Sequence, residues 1–130
     1  MMAWNKATSG KRPTMSAKGY KQGDIILIKY PLSDKPDKSI IRPVVIISNE
    51  KSNNQDKDVL VCQITTNLRS NEFSFLLSEN LIVVPMPKLC EVRCNKIATI
   101  RIWDKFVLDK ISELKQDALT TLLSKVKTVF

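Results

Sequence analysis

The sequence predicts a mainly β domain, a small antiparallel barrel or curled sheet of short strands with one C-terminal α-helix. Short apolar runs rich in Val and Ile recur between Gly23 and Ile102, bounded by turn-forming Pro, Asn, Asp or Gly. Helical spacing occurs only at the end of the chain, where Leu119, Leu122, Leu123, Val126 and Phe130 fall at i, i+3, i+4, i+7 and i+11. At 130 residues, with 43% apolar and 26% charged side chains, the chain suits one globular domain with one core.

Residues 1–20 lack periodicity and carry bases without acids, which predicts a disordered or loosely ordered basic tail ahead of a domain over 21–130. GDIILIKY (23–30) is a first strand entered through a Gly-Asp turn, and PLSDKPDKS (31–39) a polar, proline-punctuated loop. RPVVIIS (42–48) is the second strand, followed by a polar turn, NEKSNNQDKD (49–58). VLVCQITT (59–66) and FSFLL (73–77) are the next two runs. LIVVPMP (81–87) sustains its apolar pattern only to Val84, because the prolines beyond it cannot donate to a ladder. In VRCNKIATIRI (92–102), Val92, Cys94, Ile97, Ile100 and Ile102 supply the apolar side of a further strand. Asp117 near the start of the helical stripe, with Lys125 and Lys127 near its end, suits the helix dipole. The stripe predicts packing against the sheet, and part of it could serve a dimer.

The net charge is +8, and the surplus is uneven: Lys6, Lys11, Arg12, Lys18 and Lys21 lie in the acid-free first 22 residues, leaving +3 for the rest. Such a balance attracts polyanions, above all nucleic acid, and equally fits a solvated basic surface. No apolar run is long enough to span a bilayer, so no membrane role is expected. The three cysteines, Cys62, Cys90 and Cys94, are an odd number without a histidine anywhere in the chain. That pattern argues against a disulfide framework and most zinc sites, and points to reduced thiols in a cytoplasmic protein. Three glycines leave no phosphate-cradling loop, the lack of histidine removes the usual serine and cysteine triads, and scattered acids disfavour a two-metal site. No metal and no cofactor are expected.

What remains is Arg42, locked against Pro43 at the start of the most apolar run, and the polar patch Gln63, Thr65, Thr66 and Asn67 that closes the third run. If the two strands pair as antiparallel neighbours, these residues share one end of the sheet. An arginine beside a threonine hydroxyl there can grip a phosphate through a forked charged contact and a neutral hydrogen bond. The alternative reading is a salt bridge from Arg42 to an acid such as Asp24, with Thr65 and Thr66 as ordinary strand-end residues.

The ordered set GDIILIKY, RPVVIIS, QITTN, KIATI (96–100) and KISEL (110–114) before the final helix resembles the MazF/PemK family of bacterial toxins, over nearly everything after Lys21. The resemblance implies an SH3-like barrel with a C-terminal helix, usually a homodimer. It implies a metal-independent endoribonuclease that cuts single-stranded RNA, with the 2′-hydroxyl attacking the adjacent phosphate to leave a 2′,3′-cyclic phosphate. The family's catalytic arginine and threonine match Arg42 and Thr65, and RNA contacts are then expected from Asp37, Lys38, Gln63, Thr66, Asn67 and Lys96. The implied partners are messenger RNA and a MazE/PemI-type antitoxin whose extended tail fills the RNA groove. The sequence departs from the family at KPDK in the loop before the arginine and at Ala98, where the family has an arginine. Arg93, Lys96 or Arg101 are candidates to compensate, and Trp103 to stack a base. Two other readings stand beside the nuclease: a CcdB-like gyrase inhibitor of related fold, and an inactive RNA-binding member.

Overall fold

The computed structural model describes residues 19–31, 39–101 and 107–130. The chain runs β1 (Asp24–Pro31), β2 (Ser39–Ile46), α1 (Glu50–Asp56), β3 (Asp58–Thr65), β4 (Ser74–Leu77), a 3₁₀ turn (Glu79–Leu81), β5 (Cys90–Arg101), β6 (Val107–Glu113) and α2 (Gln116–Lys127). The six strands form one sheet in the order β4-β5-β3-β2-β1-β6, with every neighbouring pair antiparallel. The fold is therefore mainly β with a C-terminal helix. Among the described residues no ladder joins the edge strands β4 and β6, so pairing does not close the sheet into a barrel. A single bridge, Ile82 to Leu114, links the segment after β4 to the end of β6. The Val83 N–H donating to Glu113 O and the Lys115 N–H donating to Leu81 O, both at 2.9 Å, flank it. Among the described residues no helix is long and apolar enough to cross a membrane.

The uninterrupted apolar runs of β1 and β2 have a physical reason, because both sides of these strands are buried. Ile25, Val45, Cys62 and Ile64 face a cluster completed by Leu119, Leu122 and Val126 of α2. Ile26, Ile28, Val44, Ile46, Val59 and Val61 face a second cluster that includes Tyr20 and Val107. Tyr20, the last residue of the segment read as a tail, is itself buried. Leu122 is wholly buried, and burying a leucine contributes about 1.5–3 kcal/mol. Leu123 is half-buried, but Phe130 lies beyond the end of α2 at 91% exposure, so the helical stripe stops one turn earlier than its spacing suggests. Gly23 admits α2: its φ is +93°, and a Cβ there would sit 3.3 Å from Leu119 Cδ2.

Two features differ from the sequence reading. The polar stretch after β2 is a helix, α1, capped by Asn49, whose side chain accepts from the Ser52 N–H. And LIVVPMP contributes only the Ile82 bridge rather than a strand, since its backbone turns through the 3₁₀ segment before reaching the prolines.

Buried Asp24 ties the start of the domain to β6. It accepts from the Lys21 N–H at 2.9 Å and Nζ at 3.1 Å, and pairs with Lys110 Nζ at 3.2 Å. Lys110 also binds Glu113 at 3.0 Å. That contact, aided by the Lys110 and Lys21 charges, outweighs burial and holds the Glu113 carboxyl below the usual range. Burial pulls the Lys110 ammonium down, but Glu113 and Asp24 together push it above the ordinary lysine value.

Candidate active site

Arg42 lies inside β2 rather than at its start, paired with Ile28 of β1, because β2 begins three residues earlier at Ser39. The β2–β3 ladder pairs Ile46 with Val61, Val45 with Cys62 and Val44 with Gln63. It stops there, since Pro43 has no N–H to donate. Two more steps in the same register place Arg42 across from Thr65. On the other side of β3, Thr65 pairs with Glu91 and Gln63 with Arg93 of β5. Directly opposed residues share a face, so Arg42, Thr65 and Glu91 form one row across three strands. Gln63 and Arg93 lie in the next row, with Ser74 of β4 beyond them. By strand alternation this face is that of Ile28, Val44 and Val61, the second cluster, at its polar end.

Within the row, Arg42 is exposed and Thr65, Gln63 and Arg93 are half-buried. Among the described residues Arg42 makes no ion pair, and the acid proposed as its salt-bridge partner, Asp24, is engaged by Lys21 and Lys110 instead. The Thr65 hydroxyl accepts the Asn67 N–H at 3.0 Å, which folds the chain into a turn immediately after β3. This bond occupies a lone pair of Oγ1 and leaves the hydroxyl proton directed elsewhere; no acceptor for it lies among the described residues. Thr66 and Asn67 are exposed on that turn.

The β3–β5 register jumps between Cys62, opposite Ile97, and Gln63, opposite Arg93. Residues 94–96 are thereby extruded from the ladder, and Lys96 is exposed on this bulge one step from Gln63. Asp37, Lys38 and Trp103 lie outside the described residues. Arg101 is drawn away from the row, 3.7 Å from Asp58 at the far end of β3.

Glu91 was not singled out from sequence, and Arg93, in the next row, only as one of three cations that could compensate for Ala98. Their signal is the alternation in CEVRC, in which charges occupy every second position of a strand whose other side is apolar. Glu91 is buried at 1% exposure, accepting the N–H groups of Arg69 (3.1 Å) and Ser70 (3.2 Å) and the Ser74 hydroxyl (2.8 Å). Burial alone would raise its carboxyl, but these hydrogen bonds and the Arg93 charge prevail and hold it below the usual carboxylate range.

Among the described residues no group of three or more Asp, Glu, Cys or His side chains is arranged to hold a metal ion. All three cysteines are free and buried. Burial pushes Cys62 up to about 12 and Cys90 and Cys94 up to about 11, so none is a ready nucleophile.

A family model for PemK-like, MazF-like toxins of type II toxin–antitoxin systems matches residues 21–130. Comparison with curated protein sequences gives no match. Among solved structures, MazF from Deinococcus radiodurans is similar at a TM-score of 0.66 and 14% identity, covering 90% of this chain and 97% of that one. An endoribonuclease from a mycobacterial species gives 0.66 and 17%, covering 90% and 94%. A MazE–MazF structure from Deinococcus radiodurans gives 0.67 and 15%, covering 85% and 94%. At these identities the structures establish the shared fold, and the family model matches nearly the whole domain. The chain belongs to the PemK-like, MazF-like family of type II toxin–antitoxin toxins.

Proposed function

We propose that the chain is the toxin of its pair and acts as a metal-independent endoribonuclease on single-stranded RNA in the cytoplasm. The observation that supports this is the β2–β3 register: continued two steps past its last pair, it brings Arg42, exposed and without an ion pair among the described residues, level with Thr65, whose hydroxyl accepts the Asn67 N–H and keeps its proton for another acceptor. The RNA supplies its own nucleophile. Its 2′-oxygen forms a bond to the adjacent phosphorus, the bond to the 5′-oxygen breaks, and a 2′,3′-cyclic phosphate and a 5′-hydroxyl result. The 2′ proton passes to water or a phosphate oxygen, and water protonates the departing alkoxide. The protein's part is to orient the phosphate and to stabilise charge on the pentavalent transition state. The planar, permanently charged Arg42 guanidinium matches two phosphate oxygens, and Thr65 donates to a non-bridging one. Gln63, Thr66, Asn67 and Lys96 border this phosphate position, Arg93 adds a second cation on the same face, and Asp37 and Lys38 are assigned to the substrate as well.

The partner is a MazE-type antitoxin, as in the similar MazE–MazF structure. An acidic, extended segment would complement Arg42 and Arg93 and exclude RNA. The working unit is a homodimer. The test is incubation of a long single-stranded RNA with the protein in EDTA, beside Arg42→Ala. Cleavage that survives the chelator and falls by about 10²–10³-fold in the variant is expected. Intact RNA together with inhibited DNA gyrase would overturn the reading in favour of the CcdB-like one.

A further inference from the structure

Next to Thr65 on the neighbouring strand, between it and Leu76 of β4, stands a buried carboxylate for which the cleavage chemistry has no use. Glu91 sits between Cys90 and Val92, both wholly buried, and among the described residues it forms no ion pair within 4.0 Å. A strand needing only to be filled there would be better served by an apolar side chain, because a buried carboxylate costs several kcal/mol unless hydrogen bonds replace its water. The replacements are specific. Oε1 takes the N–H groups of Arg69 and Ser70, and Oε2 takes the Ser74 hydroxyl. Two of the three donors are backbone of the turn leaving Thr65, and Ser70 holds a left-handed φ of 51°, which a non-glycine residue adopts only when held. The first anchor of that turn is the bond from Asn67 N–H to Thr65 Oγ1. Glu91 is the second, and it lies directly across the ladder from Thr65.

We infer that Glu91 is a positioning residue for RNA cleavage, its carboxylate fixing the 65–70 turn so that the Thr65 hydroxyl is presented to the phosphate gripped by Arg42. The role rests on the nuclease reading above. Glu91 does not touch the RNA; it acts through Thr65 and the turn. Misplacement of a reacting group by about 1 Å costs on the order of 10²-fold in rate, so a released turn is felt in turnover while the cationic grip on RNA persists.

Three variants test this by kcat and KM on a fluorogenic RNA, with amide hydrogen exchange at Arg69 and Ser70 read in parallel. Glu91→Leu keeps the volume and removes every acceptor, so kcat is expected to fall on the order of 10²-fold with KM little changed and both amides exchanging faster. Glu91→Gln can still accept both N–H groups through its carbonyl and donate to the Ser74 hydroxyl, and is expected to recover most of the turnover and the protection. Ser74→Ala removes one of the three contacts and lowers kcat by a smaller factor at unchanged KM. A Glu91→Leu protein with freed amides that still turns over at the native rate overturns the role, as does a loss seen in KM alone. Should Glu91→Leu fail to fold, native kcat in Ser74→Ala overturns it. A native chain that leaves RNA intact refutes the nuclease reading instead, whereas an active native chain with an equally active Leu variant refutes only the part given to Glu91.

Discussion

Replacing Thr65 by valine separates what its hydroxyl does for the fold from what it does for RNA. The side chain is half-buried at the end of β3, and valine matches its shape, so packing is conserved. Two things are lost. One is the acceptor for the Asn67 N–H, a bond of 3.0 Å on an exposed turn. A bond of this kind contributes about 0.5–1.5 kcal/mol, which is a drop of a few degrees in Tm for a domain of this size. The other is the only proton the hydroxyl can direct at a phosphate oxygen. Loss of one donor to a transition-state oxyanion costs about 2.7–4 kcal/mol, or about 10²–10³-fold in kcat. Thr65→Ser keeps both functions and serves as the control. The assay is initial-rate cleavage of a fluorogenic RNA in EDTA over a range of substrate, with thermal melts of all three proteins. A valine variant that melts slightly early yet retains kcat within about threefold would show that Oγ1 serves only the turn, and the assignment of Thr65 to the chemistry would fall.

The buried thiols predict slow modification: a thiol-specific reagent should leave Cys62, Cys90 and Cys94 almost untouched in the folded protein and titrate three equivalents in denaturant. Rapid modification of any one under native conditions would contradict the packing around it. The carboxyls of Glu91 and Glu113 are held low in the folded state, so their stabilisation is present above the ordinary glutamate pKa and is lost as pH falls through their folded values. Lys110, held high, stabilises below its ordinary pKa and stops doing so as pH rises through its folded value. Urea midpoints should therefore be level across neutral pH, fall below about pH 4, and fall again above about pH 9, where the thiols of the unfolded chain ionise while the buried ones stay protonated and Lys110 adds its loss at higher pH; Glu91→Gln should show a shallower acid limb.

The strands were legible where burial is two-sided, because IILI and VVII leave no polar position for a helix face or a loop to use. That the second and third runs pair antiparallel, which brings the Arg42 and Thr65 ends to one side of the sheet, was also accessible, since both the order of the runs and their polar ends were visible. What escaped reading depends on contacts between distant segments. α1 is seven residues, four of them (Ser52, Asn53, Asn54 and Asp56) weak helix formers, with only Asn53 buried, so it shows no stripe, and its clearest cue is the cap at Asn49. β6 carries Val107, Leu108 and Asp109 buried in succession and shifts register twice against β1, which erases any period of two; the resemblance pointed only to its end, KISEL. Nothing in the sequence marked Glu91 as buried, because its partners arrive from Arg69 and Ser70, some twenty residues away. No local pattern could announce them.

The position of β1 between β2 and β6 has a consequence for the chain during its synthesis. The first strand made gains its second neighbour only when residues 107–113 emerge, and β3, which bears Thr65, lacks its β5 partner until residues 91–101 have appeared. A ribosome that has delivered the arginine and the threonine has therefore not yet delivered the strands that hold them in register. For a protein proposed to destroy messenger RNA, this chain order delays the hazard until β5 and β6 have followed the arginine and the threonine out of the ribosome.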